Sequence, residues 1–195
     1  MRSIFILLTR SQTIASRVIH MVTDAQYTHS SLSFEEDMQE MYSFGRKYTH
    51  LVLPAGFRIE SLHRGFYKAY NQIPCALYEF QISDESYDRA RAIVDEMVGM
   101  MPRYSYSLLG LLYCRLGLAV DRGNKYFCSE FIAEVLDKSG AMEMPCVPSL
   151  MRPIDFASLP GGVKRYEGTV GDLLEQILAE AAVEPKAEGI LPISV

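Results

Sequence analysis

The sequence predicts an α+β fold in which a small antiparallel sheet packs against helices and Cys128 lies at a helix N-terminus. Two observations predict this class. Short β-prone runs occur at residues 4–9, 27–34 and 75–82, each bounded by turn-forming residues. Elsewhere, most clearly at 85–101 and 126–136, apolar residues recur at helical spacing.

Length and charge limit the function classes. The 195 residues suffice for one domain with a sizeable core, which we expect to span 1–184, with a loose tail at 185–195. The formal net charge is −5 and the basic residues are scattered, which argues against a nucleic-acid or anionic-membrane surface. The four cysteines lie far apart without metal-ligand spacing, so we expect no metal site, and we expect no cofactor.

The N-terminal segment predicts a buried strand and not a targeting signal. Its apolar run at 4–8 is shorter than a signal-peptide core, and Arg10 follows it without a small-residue cleavage site. The apolar run nearest in length to a membrane span, 108–120, is interrupted by Arg115. We therefore expect a cytoplasmic protein with no integral membrane segment.

The elements follow from pattern, in chain order. After the first strand, Ser11 is the expected cap of a helix at 12–22 that carries His20. Runs at 27–34 and 39–45 predict an antiparallel hairpin with its turn at 35–37. The remaining predicted elements are a strand at 56–60, a helix or lid at 63–70, a strand at 75–82, a helix at 85–101 capped by Asp84, a helix at 108–116, the Cys128 helix, a strand at 163–170 and a helix at 171–182. The helix at 108–116 is apolar nearly all round, which predicts that it is buried.

Cys128 falls in the first turn of its predicted helix. The free N–H groups there carry partial positive charge, which favours a thiolate over a thiol. This position makes Cys128 a candidate nucleophile. The alternative is a small buried core residue, since free cysteine is among the most buried residue types.

His29 lies on the first strand of the predicted hairpin. Side chains alternate along a strand, so Tyr27, His29, Ser31 and Ser33 share one face. A histidine flanked by small hydroxyl residues suggests a concave, partly polar face; a structural histidine satisfied by local hydrogen bonds is the alternative. A turn centred near Glu36 puts either Ser43 or Phe44 opposite His29, and the sequence leaves both open.

A cysteine nucleophile needs a base, and the base needs an orienting partner. His29 is the candidate base, and the paired strand offers Ser43, Tyr42 or Glu40 as its partner. Glu40 is expected to pair near Ser33, which is about 13 Å along the strand from His29 and too far for contact. Ser43 is therefore the predicted third residue.

This order of motifs resembles a known superfamily. His29 stands in Tyr-Thr-His-Ser-Ser-Leu on a hairpin, and Phe-Cys-Ser-Glu-Phe follows about a hundred residues later at a helix start. The arrangement is similar to the circularly permuted branch of the NlpC-like, papain-like superfamily, which includes YiiX-like and lecithin retinol acyltransferase-like proteins. In permuted members the histidine precedes the cysteine, as it does here.

The resemblance implies a permuted papain-like fold and a thiol hydrolase or acyl or peptidyl transferase. The expected substrate is a small molecule, peptide or lipid carrying an amide, peptide or ester bond, cleaved through a thioester on Cys128. YiiX-like members favour a carboxylate where this chain has Ser43. We expect Tyr27, Tyr42 and Tyr126 to contact the substrate. The alternatives are an inactive binding module of the same fold and a lipid acyltransferase.

Overall fold

The computed structural model describes residues 1–10, 26–46 and 55–183. The predicted helix at 12–22 with His20, the segment that contains His50 and the predicted tail at 185–195 lie outside the described residues. The described strands are β1 (Arg2–Thr9), β2 (His29–Ser33), β3 (Met41–Arg46), β4 (Ala55–Glu60), β5 (Pro74–Ile82), β6 (Ser105–Tyr106), β7 (Lys125–Tyr126) and β8 (Gly162–Thr169). The described α-helices are α1 (Gly65–Ala69), α2 (Asp84–Gly99), α3 (Leu108–Arg115), α4 (Cys128–Lys138) and α5 (Val170–Val183).

The fold is α+β, as predicted, but its sheet is larger than expected. Eight strands form one mixed sheet in the order β7-β6-β4-β3-β2-β1-β5-β8. Strands β6 and β7 pair in parallel, with Tyr106 opposite Tyr126. These strands have two residues each, which is too short for alternation to be recognised in sequence.

Helices cover both faces of this sheet. Ile4, Ile6 and Leu8 of β1 pack with side chains of α2 and α4. Phe5 and Leu7 pack on the opposite face with side chains of α1 and α5. Strand β1 is thus buried on both sides, which explains why its sequence is an unbroken apolar run.

The predicted cap of α2 was wrong by one residue. Ser83, not Asp84, is the N-cap, and its Oγ accepts the backbone N–H of Ser86 at 3.0 Å. Asp84 lies in the first turn instead, where a carboxylate interacts favourably with the helix dipole.

The prediction that the apolar helix at 108–116 is buried was also wrong. Helix α3 exposes Leu108, Leu109 and Leu112 by 46, 62 and 48%. Its buried side carries Gly110, against which the Arg122 guanidinium packs so closely that a Cβ there would lie 2.7 Å from Cζ. The helix therefore turns its smallest side chain inward and its leucines outward. None of the described helices is long and apolar enough to cross a lipid bilayer.

Candidate functional site

Cys128 is the first residue of α4. Phe127, in an extended conformation, is the N-cap, and its backbone N–H donates to the Glu130 carboxylate at 3.3 Å. Phe131 and Val135 bury the helix in the core on one face of the sheet. Cys128 is only 2% exposed, so the thiol is held at a defined position next to the strands.

A buried ion pair also holds the start of α4. The sequence suggests that Glu130 faces away and interacts only with the helix dipole, and this is wrong. Its carboxylate accepts a hydrogen bond from the Arg122 guanidinium, and both side chains are 8% exposed. Burial raises the pKa of Glu130, while the Arg122 charge and the hydrogen bond from Phe127 oppose that rise. Glu130 thus joins the loop before α4 to the first turn of the helix.

His29 is the first residue of β2. On one side it lies opposite Thr9 of β1. On the other side, Leu32 is opposite Tyr42 of β3, so counting three residues along each strand puts Gly45 opposite His29. The expectation of Ser43 or Phe44 there was wrong because the connection is not centred near Glu36: it extends to Glu40 and includes Met38, whose φ is +54°.

The carboxylate beside His29 comes from a strand that the sequence did not indicate. The Nε2 atom of His29 lies 3.1 Å from Oε2 of Glu60, on β4. The same carboxylate oxygen accepts the hydroxyl of Ser31 at 2.7 Å. Side-chain exposure is 20% for His29 and 18% for Glu60. Glu60 is therefore the acidic partner of the imidazole, and it reaches His29 across β3.

Gly45 lies between the two partners. A Cβ built on Gly45 would lie 3.7 Å from Cε1 of His29 and 3.6 Å from Oε1 of Glu60. A glycine thus leaves the space above β3 in which the imidazole and the carboxylate meet. A sequence signal existed in the glycines of β3 and β4 and in the acid that ends β4, but pairing patterns inside one hairpin do not include the third strand.

The three sequence candidates for the orienting residue have different surroundings. Ser43 does reach the ring, with its Oγ 3.4 Å from Nε2, while its hydroxyl donates to the Ser30 carbonyl at 2.7 Å. Tyr42 donates instead to the Glu40 carboxylate at 3.1 Å. Glu40 lies near Ser33, as expected, because Ser33 Oγ donates to its carbonyl at 2.9 Å. Ser43 is therefore a second contact of His29, and Tyr42 and Glu40 pair with each other.

The ionisation of the site follows from these contacts. Burial lowers the pKa of His29, but the Glu60 charge and hydrogen bonds with Cys128 and Glu60 raise it to about 10. Burial raises the pKa of the Cys128 thiol, but a hydrogen bond from His29 and the His29 charge lower it overall. The pKa of Glu60 is likewise lowered, because the His29 charge and hydrogen bonds from His29 and Ser31 outweigh burial. The three groups favour a thiolate, an imidazolium and a carboxylate.

Ser30 supplies a further donor beside the sulfur. Its backbone contributes a hydrogen bond that lowers the pKa of the Cys128 thiol. Its hydroxyl is buried, and among the described residues it has no partner at normal hydrogen-bond geometry. This hydroxyl is therefore available to donate to a thiolate at Cys128.

The other three cysteines have the opposite electrostatics. Burial raises the pKa of Cys75 to about 12 and that of Cys114 to about 11. Desolvation also raises the pKa of Cys146, which is exposed. Cys114 donates its thiol to the Leu150 carbonyl at 3.3 Å. Of the four thiols, that of Cys128 has the lowered pKa.

The three tyrosines expected to contact substrate have hydrogen bonds that lead away from Cys128. Tyr27 is 4% exposed and donates to Glu167 at 3.3 Å; burial and the Glu167 charge raise its pKa to about 12. Tyr42 is 2% exposed in the core. Tyr126 is half-buried on β7, and its hydroxyl donates to Glu134 at 2.8 Å. Their role in substrate binding stays a prediction.

Within residues 1–10, 26–46 and 55–183, no group of three His, Cys, Asp or Glu side chains is arranged to hold a metal ion. No protein-family model matches this chain, and no curated protein matches it at a significant level.

Proposed function

We propose that this protein is a cysteine-dependent hydrolase or acyl transferase with Cys128 as nucleophile, His29 as base and Glu60 as the orienting carboxylate. The observation that carries the proposal is the Glu60–His29 hydrogen bond beside a thiol at a helix N-terminus. Glu60 takes the place that the sequence interpretation gave to Ser43. The substrate class is an amide, peptide or ester, because a thiolate attacks such carbonyl carbons to form a thioester.

The orientation of the ring supports the assignment of His29. Its Nε2 faces Glu60 and Ser43, which leaves Nδ1 as the nitrogen that exchanges a proton with the thiol. A carboxylate on one ring nitrogen fixes the tautomer and stabilises the imidazolium that forms when the other nitrogen takes a proton. Ser31 in turn holds the Glu60 carboxylate, so the base is oriented by two successive hydrogen bonds.

The proposed reaction has two steps. The Cys128 thiolate attacks the carbonyl carbon, and protonated His29 gives its proton to the leaving group, which leaves a thioester on Cys128. Water or another acceptor then attacks the thioester while His29 takes the proton of that acceptor. The free backbone N–H groups in the first turn of α4 would stabilise the oxyanion, an effect worth about 3 kcal/mol per donor in known enzymes.

The order of these residues along the chain also supports a permuted papain-like arrangement. The histidine strand β2 precedes the cysteine helix α4, and both contribute to one site. We propose this fold assignment together with the activity.

One observation favours a second candidate. Cys128 is 2% exposed, and a covered thiol also fits a binding module that keeps the fold without turnover. In such a module the Glu60–His29 pair would be structural, and substrate carbonyls would not reach the sulfur.

A p-nitrophenyl ester assay with intact-protein mass spectrometry separates the two candidates. The hydrolase predicts a burst of p-nitrophenol and an acyl adduct that maps to Cys128 and is released by hydroxylamine. Cys128→Ala abolishes both signals, whereas the matched variant Cys114→Ala keeps them. An adduct on Cys146 alone, or no adduct on a protein that still folds, would support the binding module.

A further inference from the structure

Five of the eleven large hydrophobic side chains that the described residues expose lie within eleven consecutive positions. They belong to α3 and the turn after it, and their exposures range from 46 to 62%: Leu108, Leu109, Leu112, Leu116 and Leu118. We call these five residues the leucine surface. Isolated apolar side chains are normal on a protein surface, but a contiguous group indicates an interaction site.

The leucine surface covers one side of the helix. At 100° per residue, the first four leucines fall within an arc of about 100°, and Arg115 lies at its edge. The opposite side carries Gly110, packed against Arg122, and Cys114, bonded to the Leu150 carbonyl. The helix is therefore amphipathic in the outward direction, with its apolar stripe away from the core.

The charge around this surface differs from that of the chain as a whole. The full chain has a formal net charge of −5. From Met97 to Val120, however, the sequence contains Arg103 and Arg115 and no acidic residue. Arg103 and Arg115 are both exposed. An apolar stripe flanked by arginines without acids matches the headgroup region of a lipid bilayer, where leucines insert and cations contact phosphate.

The size of the surface argues against a second copy of the chain as its occupant. Helix α3 has eight residues, which is about 12 Å of helix. A stable dimer needs about 800 Å² of buried surface on each partner, more than one short helix supplies. Insertion into a bilayer interface needs only a few apolar side chains to enter about 5–10 Å.

The surface also lies near the candidate site. Strands β6 and β7 are parallel and in register, with Tyr106 opposite Tyr126. Helix α3 begins two residues after β6, and α4 begins with Cys128 two residues after β7. Both helices therefore leave the sheet at the same end.

We propose that the leucine surface docks the protein onto a lipid bilayer surface, with α3 lying in the interface. Docking would bring the start of α4 close to the membrane. Only that consequence rests on the proposed function; the docking itself stands even if Cys128 is inert.

Sedimentation with phosphatidylcholine vesicles containing a minor share of phosphatidylserine tests the proposal. The wild-type full chain is expected to sediment with the vesicles. Leu109→Glu/Leu116→Glu should weaken binding at least about tenfold, since each inserted leucine contributes about 1.5–3 kcal/mol. The matched control is Val163→Glu/Leu178→Glu, which changes two side chains of similar exposure outside α3 and should bind like the wild type. Arg115→Gln should weaken binding to these vesicles and leave binding to pure phosphatidylcholine unchanged.

Three outcomes would overturn the proposal. The wild type does not bind vesicles, or both double variants bind equally, or light scattering shows a dimer that Leu109→Glu/Leu116→Glu separates while vesicle binding is absent. Iodoacetamide labelling of Cys128 without vesicles is expected to be the same in the wild type and in Leu109→Glu/Leu116→Glu. A loss of vesicle binding is thereby distinguished from a loss of site chemistry.

Discussion

Glu60 lies 3.1 Å from the His29 ring, although a whole strand separates β4 from β2. The contact exists because Gly45, on the intervening strand, has no side chain to fill the space between them. The acid–base character of the candidate site thus depends on one carboxylate, one imidazole and one glycine from three adjacent strands.

Replacing Glu60 with Gln should make Cys128 less reactive near pH 7. Without the carboxylate charge the pKa of His29 falls, and the imidazolium no longer stabilises the thiolate, so the pKa of Cys128 rises. Below that pKa, each unit of rise lowers the thiolate fraction about tenfold. Iodoacetamide alkylation rates measured as a function of pH should therefore show a midpoint displaced upward in Glu60→Gln.

The control for this experiment is Glu40→Gln, which removes a carboxylate that bonds to Tyr42. Its pH profile should match that of the wild type. In the wild type the rate should rise at a pH below the ordinary thiol pKa, then stay level until His29 loses its proton near pH 10. Identical profiles for Glu60→Gln and the wild type would show that Glu60 does not tune the site.

The four cysteines should differ in reactivity at slightly acidic pH. Cys128 should be alkylated first in the native protein, because its pKa is lowered while those of Cys75, Cys114 and Cys146 are raised. Peptide mapping by mass spectrometry after brief iodoacetamide treatment measures this order. If exposed Cys146 reacts first and Cys128 stays unmodified until the protein unfolds, the thiolate assignment is wrong.

Gly45→Ala and Gly45→Val should have different effects. The alanine Cβ would make ordinary contacts of 3.6 and 3.7 Å with Glu60 and His29, so the pair should persist. The valine methyl groups extend further and should separate the ring from the carboxylate, at a cost of about 1–3 kcal/mol for overpacking. Alkylation of Cys128 should be near wild type in Gly45→Ala and slower in Gly45→Val, with folding checked by thermal melting. Equal rates in the two variants would contradict the role given to Gly45.

Arg122→Met should destabilise the fold strongly. It leaves the Glu130 carboxylate buried without its ionic partner, which typically costs about 3–5 kcal/mol. Arg122→Met/Glu130→Gln should recover much of this loss, since no uncompensated charge remains and the amide oxygen can still accept the Phe127 N–H. Urea unfolding measures the free energies.

A surface pair provides the comparison for that measurement. Lys138 is 61% exposed and pairs with Glu134 within α4, so Lys138→Met should change the free energy of unfolding by less than about 1 kcal/mol. A double variant as unstable as Arg122→Met alone would mean that Arg122 stabilises the loop by packing and not through Glu130.

The sequence by itself determined the α+β class and most element positions, because apolar periodicity reports directly which side of a strand or helix is buried. It also singled out His29 and Cys128, since each stands within a short run of residues unusual for its element. The outward leucines of α3 were misjudged because periodicity in a wholly apolar segment does not tell which side faces the core.

Tertiary structure alone decided the partner of His29. Glu60 and His29 are 31 residues apart and meet only after β2, β3 and β4 assemble side by side. Lateral register across three strands depends on turns and packing, which local pattern does not encode. For the same reason the burial of Glu130 with Arg122 was invisible in sequence: a charge becomes an internal ion pair only when the fold removes both groups from water.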